Sequence, residues 1–233
     1  KVSLFLHGLR YKISVVNPTR IKAYAKSEGA RVKTDKVDSA VIARFCRAQS
    51  PSLWTPPSDE EQQLRDLYRC LQSLIEDRTK FSNRMEALDS CKNSYKVWQE
   101  MVASVDKKIK EVEEQIKTLL RNNKEFGKKV SLLETIPGVS KKTAVAILSE
   151  LPDVNTFESA REAAAFAGLT PSIRQSGTTV KGRGSLSKVG NAQLRKALFM
   201  PTLVAKKHNP VIEKFCEQLT KKGKAKMVVV AAG

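Results

Sequence analysis

Three groups of residues in this sequence have the types and spacing to do chemistry. The first is acidic. In the run Thr34-Asp35-Lys36-Val37-Asp38 two aspartates stand three positions apart at what reads as a helix start, so both carboxylates fall on one face. Such a pair can hold a hard divalent cation, and Mg²⁺ bridging phosphate oxygens suits a basic protein. The commoner use of an acidic pair there is to cap the helix and complement its dipole. Two carboxylates are too few for a two-metal site, so further ligands would have to lie upstream of Lys1.

The second group runs from Leu133 to Leu148. Ile136-Pro137-Gly138-Val139 lies between two helical stretches and resembles a helix-hairpin-helix motif. Gly138 permits a tight turn, so the backbone N–H groups of the next helix can face a phosphate, with Lys141 and Lys142 adding charge. Contacts of that kind position DNA without reading its sequence. The alternative is an ordinary helix corner with a Pro-Gly turn.

The third group is a Gly/Ser/Lys/Arg loop, with Gly168-Leu169-Thr170-Pro171, Arg174-Gln175-Ser176-Gly177, Lys181-Gly182-Arg183-Gly184-Ser185, Lys188, Gly190-Asn191 and Leu194-Arg195 in order. Small residues let backbone approach a phosphate, while Lys181, Arg183, Lys188 and Arg195 supply charge. The Gly-Lys-Ser/Thr run of a Walker A loop is absent. A serine beside glycine in a cationic pocket can serve as a nucleophile; a serine in such a place more often hydrogen-bonds a turn.

The 233 residues carry 42 Lys and Arg against 24 Asp and Glu, a formal net charge of +18. From Pro171 to Gly233 there are 13 Lys and Arg against Glu213 and Glu217, so +11 of that excess lies in the last 63 residues. A polyanion is the partner such a charge favours; a merely solvated basic surface is the alternative. Cys46, Cys70, Cys91 and Cys216 are scattered, and His7 and His208 are the only histidines, which argues against a His/Cys metal site and for reduced thiols. No apolar run approaches a membrane span. Lys1 is not a start-codon product, Val2–Leu6 is too short for a signal peptide, and the sequence stops inside the apolar run Met227–Ala232. Both ends read as cut from something longer.

These groups need elements to hold them. Lys12–Asn17 reads as a short buried strand ended by Asn17-Pro18. Thr19 can cap a helix that Gly29 stops, and a second helix starts near Thr34 or Asp35, with Val37, Val41, Ile42 and Phe45 on one stripe. Ser50–Ser58 is a proline-rich connector. From Asp59 to about Lys124 Gly and Pro almost vanish. Leu64, Leu67, Leu71, Leu74 and Ile75, then Val105, Ile109, Val112, Ile116 and Leu119, recur at helical steps and predict a helical hairpin or coiled coil that turns near Asp89–Tyr95. Such a hairpin serves as a spacer, an oligomerisation arm or both. Beyond Lys128 the pattern is mainly helical.

In this order the pieces resemble the DEDD transposases of insertion sequences, relatives of the Piv DNA invertases and of bridge-RNA-guided recombinases. The markers are Val15-Val16-Asn17-Pro18, Lys33-Thr34-Asp35 to Asp38, Ala43-Arg44-Phe45, Ile136-Pro137-Gly138, Gly168-Leu169-Thr170-Pro171, Ser176-Gly177 and Lys188-x-Gly190-Asn191-x-x-Leu194-Arg195. The resemblance implies an α/β plus α fold. Residues 1–50 would be the back part of a RuvC-like (RNase H fold) domain, 51–58 a linker, 59–127 a coiled-coil hairpin, and 128–233 a helix-hairpin-helix and transposase domain truncated at its C-terminus. It implies an Asp-Glu-Asp-Asp tetrad for Mg²⁺ whose last two positions match Asp35 and Asp38, with Ser39 where the family usually has Ala. It also implies a nucleophilic serine, matched by Ser176 rather than Ser185 or Ser187. DNA contacts would fall to Gly138, Lys141, Lys142, Lys181, Arg183, Lys188 and Arg195.

The implied activity is DNA cleavage and rejoining in the cytoplasm of a bacterium or archaeon, at the nucleoid, with a guide (bridge) RNA, by a dimer or tetramer and without a membrane. The first two tetrad positions are not in this sequence, so it is expected to bind metal poorly and not to recombine DNA by itself. A non-catalytic DNA-binding scaffold and a RuvC-like nuclease that hydrolyses without a covalent step are the other readings.

Overall fold

The computed structural model describes residues 2–30, 32, 34–88, 92–151, 154–172, 175–176, 180–181 and 184–233, and gives only the backbone of 92, 93, 155, 175, 176, 180 and 181. The chain forms two compact units, Lys1–Ser58 and Asp59–Gly233.

The first unit contains helices α1 (Val2–Gly8), α2 (Pro18–Ser27) and α3 (Asp35–Gln49). Helix α2 starts two positions before the expected place. Pro18 presets φ at the first turn, and the Asn17 side chain, not Thr19, is the cap, accepting the Thr19 N–H at 2.9 Å. Gly29, at φ 71°, ends the helix as expected. Val41 and Phe45 form the buried stripe of α3; Tyr24 meets Phe45 edge-on at 5.4 Å, and Arg44 pairs with Glu28 at 2.6 Å.

The strand expected over Lys12–Asn17 does not form; among the described residues this stretch carries no ladder. Its neighbour is the proline-rich segment, whose Trp54 N–H reaches the Ile13 carbonyl at 2.7 Å, while the Ser14 hydroxyl reaches Pro51 O at 3.0 Å. Pro51, Pro56 and Pro57 have no N–H to give, so two isolated bonds stand where a strand pair would need a series.

In the second unit the Gly- and Pro-poor stretch becomes two long helices, α4 (Asp59–Glu86) and α5 (Lys92–Asn122). There follow α6 (Lys124–Glu134), α7 (Lys141–Glu150), a 3₁₀ turn (Val154–Thr156), α8 (Ala160–Phe166), four two-residue strands, and α9 (Ala192–His208), α10 (Pro210–Lys221) and α11 (Lys226–Ala232). Leu64, Tyr68 and Leu71 from α4, Val112, Ile116 and Leu120 from α5, Phe126 and Val130 from α6, and Ala144, Val145 and Ala146 from α7 form one core. One end of the hairpin and the helix corner after it are therefore one packed body. Their apolar stripes bury against one another, with Ala197 of α9 packed alongside.

The described residues of the expected glycine-rich loop form two short antiparallel ladders, together the β arm. Strands β1 (Pro171–Ser172) and β4 (Ser185–Leu186) pair at its base, and β2 (Gln175–Ser176) and β3 (Val180–Lys181) pair further out, with Ser176 opposite Val180.

Candidate functional site

In the first unit the acidic pair sits on the first turn of α3. Thr34 is the cap: its backbone is extended, its Oγ1 accepts the Val37 N–H at 3.3 Å, and its carbonyl takes the Asp38 N–H at 2.8 Å. Neither carboxylate supplies that cap bond; both stand in the first turn, where they complement the helix dipole. Asp35 is exposed and Asp38 half-buried. Ser39 donates its hydroxyl to the Lys36 carbonyl at 3.1 Å and so turns back onto its own helix. The pair fits one edge of a hard-cation site, two carboxylates on adjacent rungs. Among the described residues no third Asp, Glu, His or Cys joins them.

In the second unit α6, the turn and α7 form the helix corner. Gly138 has φ 102°, and a Cβ there would lie 2.9 Å from both the Cβ and the N of Ala205 on α9. The bare glycine therefore serves two ends, the left-handed turn and the close approach of α9. Ser140 caps α7, its Oγ accepting the Thr143 N–H at 3.4 Å. Lys141 and Lys142 are exposed on the first turn, and Lys142 reaches Glu113 on α5 at 3.0 Å. Beside this turn lies a groove of about 490 Å³, floored by Tyr68, Leu71, Ile116 and Val145, with Lys117, Lys141, Lys142 and Lys196 along it.

The β arm stands on two feet, residues 166–170 and 187–191, which grip each other through backbone. Ser187 N–H donates to Thr170 O at 2.9 Å, Lys188 N–H to Gly168 O at 3.1 Å, and Asn191 N–H to Phe166 O at 2.7 Å. At Gly190 a Cβ would overlap Gly168 N and Phe166 O, so no other residue fits there without moving the opposite foot. Lys188 holds a left-handed φ of 56° without being glycine, a strain the surrounding bonds hold in place. Arg195 donates from Nη1 to the Ala167 carbonyl at 2.8 Å, so part of its guanidinium closes the end of α8. The Ser176 backbone lies in β2; its side chain, the side chain of Lys181 and the whole of Arg183 lie outside the described residues.

Beneath the feet is a polar cluster that reading the sequence missed. Asn191 caps α9, its Oδ1 accepting the Gln193 and Leu194 N–H groups, both at 3.0 Å. Its Nδ2 donates to Glu150 Oε2 at 2.8 Å. Glu150, the last residue of α7, is 2 % exposed and takes two further bonds from Arg69 on α4, Nε to Oε1 at 2.8 Å and Nη2 to Oε2 at 2.9 Å. Arg65, one turn earlier, donates to the Ser149 carbonyl at 2.9 Å. Two arginines thus face the negative end of α7. Burial by itself raises the Glu150 carboxyl, but the bonds from Arg69 and Asn191 outweigh it and hold the group below its ordinary value. The signal in the sequence was a lone acid closing the apolar run of α7; only the fold pairs it with residues 81 positions before it and 41 after it.

Known proteins match the chain over most of its length. A profile described as the transposase IS116/IS110/IS902 family matches residues 130–217, and a DEDD transposase profile of IS110 type matches residues 2–90. The pilin gene-inverting protein of Moraxella bovis is 37% identical over 232 residues, covering 95% of this chain and 69% of its own. The chain belongs to the IS110 family of transposases. A transposase of insertion sequence element IS1111A from Coxiella burnetii is 24% identical over 222 residues, 82% of this chain and 58% of its own. In this IS110-family chain Asp35 and Asp38 lie within one matched part, while the Pro137-Gly138 turn, α7, Ser176 and both feet lie within the other. Among the described residues no helix is long and apolar enough to cross a membrane.

Proposed function

We propose that the chain carries out DNA strand cleavage and rejoining for a mobile or invertible element, with Ser176 as nucleophile. The observation that supports this is its 37% identity over 232 residues to a protein named for inverting a gene. The Ser176 Oγ attacks a phosphodiester phosphorus; an Oγ–P bond forms as the P–O3′ bond breaks. The seryl proton passes to water, and the departing oxygen takes up a proton as a free 3′-hydroxyl. Attack of a partner strand's hydroxyl on the phosphoserine reverses these changes and rejoins the DNA.

Asp35 and Asp38 would hold Mg²⁺ together with further ligands, and that ion would neutralise charge on the phosphate. Gly138, Lys141 and Lys142 present the start of α7 to a DNA phosphate, and Lys181, Arg183 and Lys188 meet the DNA backbone near the serine. Arg195 divides its donors between Ala167 and this surface. The same cations suit a guide RNA, whose paired bases would read the target while the protein reads backbone. We take the active species to be a dimer or tetramer. We place this activity at the nucleoid of a bacterial or archaeal cytoplasm.

The test is Ser176→Ala in the full-length parent, assayed for DNA covalently attached to protein. The variant should bind DNA as before and form no adduct. Adduct formation by the variant refutes Ser176 as nucleophile. Mg²⁺-dependent cleavage without any adduct in the parent points instead to a hydrolytic nuclease, and salt-sensitive binding without cleavage to a DNA-binding scaffold.

A further inference from the structure

We propose that Glu150, Asn191 and Arg69 are positioning residues, a latch that sets the direction of the β arm carrying Ser176; this rests on Ser176 being the nucleophile. A helix cap needs only the Asn191 oxygen, which takes the Gln193 and Leu194 N–H groups. The nitrogen of the same amide is spent on Glu150, and the backbone N–H on the opposite foot at Phe166. One residue thereby ties together α7, α9 and both feet, and Glu150 passes that tie to α4 through the paired bonds from Arg69.

A buried carboxylate is a poor choice for stability alone, because an apolar side chain of similar size would serve as well or better. What a carboxylate adds is direction. Its oxygens accept along fixed lines, so Asn191 and Arg69 can approach in only one arrangement.

Ser176 is five residues beyond Pro171, where the paired arm begins. A misplacement of about 1 Å at Ser176 can lower a reaction rate roughly 100-fold. DNA contacts on the helix corner would not sense that misplacement.

The perturbation is Asn191→Asp. It keeps the capping oxygen and sets a second carboxylate against Glu150, where an amide donor stood. Adding Glu150→Gln returns one donor and one acceptor and leaves a single negative charge for Arg69. Two measurements are made, each well below the melting temperature of the variant. The first is deuterium exchange at the amides of Ser187, Lys188 and Asn191, which hold the feet together. The second is covalent adduct formation at saturating DNA in the full-length parent, beside the DNA affinity.

Asn191→Asp should speed exchange at those three amides while leaving α5 protected. It should slow adduct formation roughly 10- to 100-fold while lowering DNA affinity far less, since Lys141 and Lys142 on α7 keep their place, and the double variant should recover both the protection and the rate. If Asn191→Asp does not fold, Arg69→Gln, at a half-exposed position, should give the same split between rate and affinity in milder form.

A wild-type adduct rate in whichever variant folds overturns the inference. So does a double variant that regains protection at the feet and not the rate. Adducts that persist in Ser176→Ala would refute the nucleophile while the exchange data still judge the latch, so the two failures remain distinct.

Discussion

Two asparagines of the second unit do the same capping work with matched geometry, and they should differ in what they contribute. Asn123 caps α6 with its Oδ1 3.0 Å and 3.1 Å from the Glu125 and Phe126 nitrogens; Asn191 caps α9 with both distances at 3.0 Å. Both residues are half-buried. Removing either cap by mutation to Ala costs about 1 kcal/mol. Asn191 also donates to the buried Glu150 carboxylate, and a hydrogen bond to a charged group contributes about 1.5–3 kcal/mol. Asn191→Ala should therefore cost about 3 kcal/mol and Asn123→Ala about 1 kcal/mol. For a unit of this size that is a fall in melting temperature of roughly 6–12 °C against 2–4 °C. Urea unfolding of both variants, read at a common slope, measures the difference directly. Equal midpoint shifts would show that the amide nitrogen contributes nothing and would refute the reasoning that joins α7 to α9.

Further consequences can be measured on the same protein. Gly138→Ala should destabilise by about 2–4 kcal/mol, from overpacking against Ala205 and a strained φ, and Ala205→Gly in the same chain should recover part of it in a denaturation cycle. Because the Glu150 carboxyl lies below its ordinary value when folded, its stabilising contribution is complete above the unfolded value of about 4.3 and is lost as pH falls through the folded one. The stability difference between wild type and Glu150→Gln should thus be constant near neutral pH and shrink below about pH 4, as followed by unfolding at a series of pH values. Lys141→Ala should lower the slope of log affinity for DNA against log salt by about 1, whereas Arg195→Ala should act mainly on the unfolding midpoint.

Periodicity carried most of the second unit. The steps of Leu64, Leu67, Leu71 and of Ile109, Val112, Ile116 belong to helices and could be read as such, because a helix buries one stripe and the stripe is local. The helix corner was legible for the same reason: Pro137-Gly138 interrupts two apolar patterns. Lys12–Asn17 misled because β-branched residues describe a surface that could be paired, and pairing depends on a neighbour the local pattern does not name. The glycine-rich stretch 168–190 gave no strand signal, since its ladders are two residues long and rest on backbone bonds at the feet. Glu150 was out of reach for a related reason. Its partners are distant in sequence, and a charged residue ending an apolar helix reads the same whether it meets water or an arginine.

The charge total changes meaning once the cations are placed. A net +18 favours a polyanion partner but treats every Lys and Arg alike. Within the second unit several are already engaged: Arg69 on Glu150, Arg65 on the end of α7, Arg195 on the end of α8, Lys142 on Glu113 and Lys196 on Glu76. The arginines fix the elements from which the arm rises, a role their planar donor fork suits and a lysine would fill less well. The exposed lysines at Glu113 and Glu76 are weakly held surface pairs, free to exchange a carboxylate for a phosphate at little cost. Arg65, Arg69 and Arg195 shape the body that holds the arm, while on the proposed function Lys141, Lys142 and Lys188 meet the nucleic acid.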